Sequence, residues 1–343
     1  MKKLISSLAL LLTLALMLAA CGGGNGEVPA NGQPNGGDKA AQTEKPADEN
    51  KGSEGQADAN AGEGTKTVTY LGQSYELPAS TERIVIAGAV EAMEDAIVLD
   101  VHPVGAVTFS GVFPPMFEPI TKNAVSIGEK TEPNFEAILA LKPDVILAST
   151  KFKPEVSEQL SAIAPSLPYS HISTDWESNL MLLGELSGKR EQAEEAIAGY
   201  KADLEEAKAK IGAGLQDKKA VVVRIRGGEI YVYPENVYFN PVLYEELGLT
   251  APAEIKAAKA QELLSVEKFA EMNPDYLFVQ FSEEENKDTP NALTELQNNP
   301  IIKNTNALKN GKTFVNVVDP LAQGGTAYSK IEFLKAAVSK LSE

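Results

Sequence analysis

The chain predicts an α/β protein of two similar lobes, each a largely parallel sheet with flanking helices, joined by one long α-helix. Three observations carry this expectation. Short β-rich runs alternate with helical runs from about residue 67 onward, and an Ala/Glu/Lys-rich stretch at 176–210 interrupts the alternation. The same helix–Pro-Asp–strand unit also occurs once on each side of that stretch. Alternation of this kind implies parallel strands covered on both faces by crossover helices.

The elements follow in chain order. MKKLISSLALLLTLALMLAAC places Lys2 and Lys3 ahead of an apolar run from Leu4 to Met17 and then small residues, the pattern of an export signal. The run is shorter than the ~20 residues a membrane span needs. Leu18-Ala19-Ala20-Cys21 is similar to a bacterial lipobox, so residues 1–20 read as a lipoprotein signal peptide and Cys21 as the site of lipid attachment. Cys21 is the only cysteine, which leaves an exported chain without a disulfide framework. Residues 22–66 are rich in Gly, Asn, Ala, Glu and Pro and have no aromatic residue. They read as a disordered tether spanning roughly 35–40 Å. The first 66 residues thus predict a lipid-anchored protein on the extracellular face of the cell membrane.

Residues 67–175 form the expected N-terminal lobe. RIVIAGA, VHPVGAV, NAVSIG, PDVILAS and LPYSHI read as strands, and EAMEDAIVL, NFEAILAL and KPEVSEQLSAIA as helices. Residues 176–212 form a linking helical segment in which Gly184 and Gly188 mark candidate breaks and the second half is one long helix. Residues 213–343 form the C-terminal lobe, with AVVVRIR, EIYVY, YLFVQF and TFVNVV as strands. Glu136 precedes Pro143-Asp144 by seven residues, and Glu267 precedes Pro274-Asp275 by seven. Two lobes facing each other across a cleft follow from this echo.

Catalytic chemistry is hard to find. His102 and His171 stand far apart without metal-ligand partners at useful spacing, and no G-x-S-x-G, H-E-x-x-H or P-loop occurs. Gln323-Gly324-Gly325-Thr326 ahead of a helix reads as a capped turn or an anion cradle. The chain therefore reads as a binding protein without a cofactor or a protein-held metal, not as an enzyme. A formal net charge of −17 argues for solubility and against nucleic acid as a partner.

Against that acidity, five cations stand near strand ends or on one strand face. Lys130, Lys151 and Lys259 fall in segments beyond strands, where open α/β sheets bind ligands. Arg224 and Arg226 lie two apart in VVVRIRGGEIYVYP, so they share one face of a strand that turns back at Gly227-Gly228. In that hairpin Arg226 faces Glu229 and Arg224 faces Tyr231, which allows a local salt bridge and a stacked ring. The other reading makes the pair half of a basic cleft for a highly charged anion. Residues alone leave both open.

The segments SIGEKTEPNFEAIL, KPDVILASTKF, VVRIRGGEIYVYPENVYFNP, IKAAKAQELLS, MNPDYLFVQFS and VDPLAQGGTAYSK carry a resemblance that covers the chain from about Thr67 to its end. The chain is similar to the class III substrate-binding lipoproteins of ABC iron–siderophore importers, especially the Gram-positive branch for ferric triscatecholates such as bacillibactin and enterobactin. The resemblance implies ligand contacts at Lys130, Lys151, Arg224, Arg226 and Lys259, with Gln261 as a further hydrogen-bonding residue. It implies permease docking through Glu136 and Glu267, one per lobe, and a monomer that holds iron only through its siderophore. In the family pattern a glutamine follows the second arginine; Gly227 stands there in this chain. A hydroxamate or carboxylate siderophore on the same fold is the alternative ligand.

Overall fold

The protein is described here by a computed structural model covering residues 64–215 and 217–342. The export signal, Cys21 and nearly all of the tether lie outside the described residues. The body opens with a hairpin of β1 (Thr65–Tyr70) and β2 (Gln73–Pro78), paired antiparallel. The Tyr70 hydroxyl donates to Asn179 Oδ1 at 2.6 Å, docking this hairpin on the helix Trp176–Ser187.

The N-terminal lobe is built on β3 (Ile84–Ala87), β4 (Gly105–Thr108), β5 (Val125–Glu129), β6 (Glu132–Pro133), β7 (Val145–Ser149) and β8 (Ser166–Tyr169). Their spatial order is β6-β5-β4-β3-β7-β8, parallel except for the two-residue β6. Every residue of β3, β4 and β7 is buried, as expected of strands with helices on both faces.

The C-terminal lobe contains β9 (Ala220–Arg226), β10 (Glu229–Val232), β11 (Glu262–Leu263), β12 (Tyr276–Phe281) and β13 (Thr313–Val315), in the order β11-β10-β9-β12-β13. β9, β12 and β13 are parallel, while β10 and β11 run antiparallel. This half is therefore mixed, because the Gly227-Gly228 turn folds the chain straight back.

The repeated unit has the same construction in both lobes. Asn134 caps the helix Phe135–Leu141 by accepting from the Ala137 N–H at 3.0 Å, and Ser265 caps Val266–Met272 by accepting from Lys268 at 3.2 Å. Each helix ends on a left-handed residue, Lys142 at φ 49° and Asn273 at φ 47°. The aspartates that follow accept main-chain N–H groups just ahead of the neighbouring strand, Asp144 from Arg83 at 2.8 Å and Asp275 from Lys219 at 3.0 Å.

Between the lobes run the helices Trp176–Ser187 and Arg190–Ile211. Gly188, at φ +70°, makes the break. Gly184 stays helical instead, and a Cβ there would come within 2.9 Å of the Ala193 side chain, so its role is close helix packing. The 22-residue second helix spans about 33 Å at 1.5 Å per residue.

The closing helix, Ala327–Leu341, packs on Arg190–Ile211 and on Val90–Leu99 of the N-terminal lobe. Glu94 and Asp95 on Val90–Leu99 are buried at this junction. Glu94 accepts from the Gln323 N–H at 2.7 Å and from the Thr326 and Ser329 hydroxyls at 2.5 Å each. The Gln323–Thr326 turn is thus a capped turn whose donors are taken up by a carboxyl of the opposite lobe, Glu94. Beside it, the buried Lys330 ammonium lies 2.7 Å from Glu246 Oε1 and 5.6 Å from the ring centroids of Trp176 and Tyr200.

Candidate functional site

Of the five expected cations, Lys130 and Lys151 come from loops beyond parallel strands and Arg224 and Arg226 from the end of β9, whereas Lys259 lies beyond no strand: it follows the short helix Ala253–Ala257 and precedes β11. Lys130 directly follows β5, and Lys151 follows β7 by two residues. Gly88 lets this corner close up. At φ +68°, it has no room for a Cβ, which would lie 2.7 Å from the Lys130 carbonyl and 2.4 Å from the Phe152 ring. The Lys151 ammonium lies 2.8 Å from Glu91 Oε1, on the first turn of the helix Val90–Leu99, and Glu91 is buried.

Arg224 and Arg226 share one face of β9, in the register expected: Arg226 lies opposite Glu229 and Arg224 opposite Tyr231. Their ion-pair partner is neither cross-strand neighbour. It is Glu285, beyond β12. Arg224 donates through Nε to Oε2 and through Nη2 to Oε1, both at 2.8 Å, in a bidentate fork. Arg226 Nε lies 3.2 Å from the same Oε1. The ring near Arg224 is Tyr238, whose centroid is 5.5 Å from Cζ. Tyr238 packs at 4.6 Å and a 34° tilt against Tyr233, giving Arg224 an aromatic wall.

The geometry joins most of the expected residues into one cluster. Arg226 Nη1 and the Tyr233 hydroxyl both donate to Gln261 Oε1, at 2.9 and 3.1 Å. Burial pushes the Lys130 ammonium below the ordinary lysine value, Glu91 and Glu285 draw it back up, and Lys151 and Arg224 push it further down. Lys130 therefore feels cations of both lobes at once. Lys259 is exposed, two residues from Gln261, and its ammonium has no ion-pair partner among the described residues. The carboxylates Glu91 and Glu285 escaped the sequence reading. Glu285 lies in the acidic run FSEEENKD, where composition does not tell which carboxylate turns inward.

With every group ionised, Lys130, Lys151, Arg224 and Arg226 outnumber Glu91 and Glu285 by two, and Lys259, two residues from Gln261, would bring the excess to three. Arg226 remains 42% exposed and Lys151 46%, so the donors face open space and not the core. Such a site can hold a rounded, highly charged anion by charge-assisted hydrogen bonds. Gly227, at φ +55°, would have nothing within 4 Å of a Cβ, so the place where a glutamine is expected is empty space beside Arg226.

The remaining expected residues lie elsewhere. Glu136 and Glu267 are exposed on the first turns of the two matching helices, without side-chain partners among the described residues. His171 Nδ1 is hydrogen-bonded to the Thr150 hydroxyl at 2.7 Å, and His102 Nε2 to Asp100 at 2.9 Å. No group of residues able to hold a metal ion occurs among the described residues.

Comparison with known proteins gives consistent findings. The periplasmic binding protein family matches residues 94–316. The iron-uptake system-binding protein of Bacillus subtilis is 51% identical over the whole of both chains. A probable siderophore-binding lipoprotein of the same organism is 30% identical, covering 72% of this chain and 78% of its own. The crystal structure of the B. subtilis triscatecholate siderophore-binding protein FeuA with ferri-bacillibactin superposes at a TM-score of 0.77 with 56% identity, covering 81% of this chain and 98% of that one.

Proposed function

Because the chain belongs to the periplasmic binding protein family, we propose that it is the substrate-binding lipoprotein of an ABC importer and captures a ferric triscatecholate siderophore in the basic inter-lobe cleft. The observation that carries this reading is the excess of positive charge where the lobes meet, three when Lys259 is counted. Three doubly deprotonated catecholates around Fe³⁺ make a complex of charge −3, which this excess balances. A neutral ferric hydroxamate has no need of five cations. That a 56% identical protein was crystallised with ferri-bacillibactin supports the same ligand class.

In this reading Lys130, Lys151, Arg226, Lys259 and Gln261 face the ligand, and Arg224 joins them through the fork it shares with Glu285. Iron stays within its siderophore, and the protein contributes no metal ligand or cofactor. Cys21 carries the lipid that holds the protein, as a monomer, on the extracellular face of the membrane. Glu136 and Glu267 present one carboxylate per lobe to the permease. The named relatives are binding proteins, which supports a carrier over an enzyme.

The test is a titration of the mature chain with ferric bacillibactin, ferric enterobactin, a ferric trihydroxamate and ferric citrate, read by quenching of Trp176, the single tryptophan. Tight saturable binding of the two catecholates alone is expected. Preference for the trihydroxamate would overturn the catecholate assignment and leave the arginine pair a purely structural role. Preference for citrate would move the ligand to the carboxylate class.

A further inference from the structure

The mouth of the cleft carries a contact that no sequence pattern announced. Ser110 lies just beyond β4 in the N-terminal lobe, and its hydroxyl donates to Glu284 Oε1 at 2.5 Å in the C-terminal lobe. Lys287 Nζ donates to the same hydroxyl at 3.2 Å and pairs with Glu284 at 2.5 Å. Three polar groups therefore close a small ring across the cleft.

Both ends of this ring are fastened to the ligand site. On the N-terminal side Ser110 adopts φ +51°, a left-handed conformation costly for a residue with a Cβ. It is held there by Glu129, which accepts from the Ser110 N–H at 3.0 Å, the Gly111 N–H at 2.8 Å and the Thr108 hydroxyl at 3.0 Å. The next residue after Glu129 is Lys130. On the other side, Glu284 is followed by Glu285, which grips Arg224 and Arg226. That turn is clamped to the β9–β10 hairpin: the Gly227 N–H donates to the Glu285 carbonyl at 3.1 Å, and the Gly228 N–H to Asn286 Oδ1 at 3.0 Å. Asn286 Nδ2 in turn donates to the Ile225 carbonyl at 2.9 Å.

We propose that Ser110, Glu284 and Glu285 are positioning residues for ligand capture: the Ser110–Glu284–Lys287 contact sets the Glu285 turn, and through it the two arginines, when the lobes meet. The turn is a stiff unit between two attachments, one to the opposite lobe and one to the guanidiniums. Displacing either end displaces the other. Loss of the Ser110 hydroxyl then loosens the arginine side of the cleft although Ser110 itself touches no ligand. This inference rests on the proposed ligand class only for its affinity readout.

The experiment uses the full chain and the exposed substitution Ser110→Ala, which keeps the backbone and the Glu129 bonds. In ligand-free protein, hydrogen exchange at the Gly227 and Gly228 amides and through 282–289 should quicken about threefold or more, a response in the lobe that was not altered. Unchanged exchange there would overturn the proposal, whatever the protein binds. With ferric enterobactin, S110A should dissociate about threefold to tenfold faster with the association rate unchanged. The double variant S110A/E285Q should dissociate no faster than E285Q alone, because both act through one turn. Effects that multiply in the double variant would overturn the coupling. Failure of the wild type to bind any catecholate would instead remove the proposed function, with the exchange result still deciding the positioning role.

Discussion

Asp95, on the N-terminal lobe's helix Val90–Leu99, accepts the Ala327 N–H at 2.9 Å and so caps the last helix of the opposite lobe. Its other oxygen accepts from the Tyr169 hydroxyl at 2.7 Å. Burial pushes Asp95 up to about 8 and its neighbour Glu94 up to about 7, against the pull of these hydrogen bonds and with Glu91 adding repulsion. In the unfolded chain both titrate near 4. Between these limits the folded protein binds more protons than the unfolded, so the pair's contribution to stability is full at low pH and falls as pH rises to about 8. The double substitution Glu94→Gln, Asp95→Asn should flatten the Tm profile between pH 5 and 8.5. Parallel profiles for variant and wild type would count against this account.

Arg226 is the arginine most open to a ligand. A charge-assisted hydrogen bond contributes about 1.5–3 kcal/mol, so Arg226→Ala should weaken ferric triscatecholate binding by about 10- to 100-fold. Binding of a neutral ferric trihydroxamate should hardly change. Isothermal titration with both ligands separates charge recognition from a general loss of fold, which would weaken both equally.

Lys330 is buried against Glu246, Trp176 and Tyr200. Lys330→Met keeps most of the volume and leaves Glu246, 21% exposed, with the Tyr200 hydroxyl but no cation beside it. Because water and the Tyr200 hydroxyl still reach Glu246, the cost should be about 2–3 kcal/mol, below the roughly 3–5 kcal/mol of breaking a fully buried pair. Urea unfolding followed at Trp176 would measure it; a change below about 0.5 kcal/mol would mean the aromatic packing alone holds the junction.

Glu136 and Glu267 lie outside the cleft cluster. Replacing both with Ala should leave siderophore affinity unchanged and abolish iron uptake in cells. Retained uptake at wild-type rates would remove the docking role.

How far the sequence reveals this protein depends on what each residue needs. The strand and helix order was legible because buried parallel strands need continuous apolar runs, and Pro-Asp units recur with matching caps. The Arg224/Arg226 face followed from strand periodicity. The partner of that pair did not: Glu285 is 61 residues from Arg224, and only the parallel pairing of β9 with β12 brings its turn alongside. Glu91 gave no signal of its own in the helical run EAMEDAIVL; its role appears only where the loop after β7 lays Lys151 over it. The β1–β2 hairpin had an alternating pattern of its own yet joins neither lobe sheet, so no α/β rule called for it.

The junction has a consequence for the order in which the protein takes shape. Its keystone, Ala327–Leu341, follows every strand of both sheets in the chain, so it is synthesised after them. Until residues 323–329 exist, Glu94 and Asp95 have no amides to receive, and Glu246 has no ammonium until residue 330. Each sheet can assemble earlier, since the strands of both precede residue 316. Without Ala327–Leu341 the two formed sheets would lack this lock, and Lys130 and Lys151 of one lobe would be held less firmly against Arg224 and Arg226 of the other. Cleft geometry is thus settled only after both sheets have been translated.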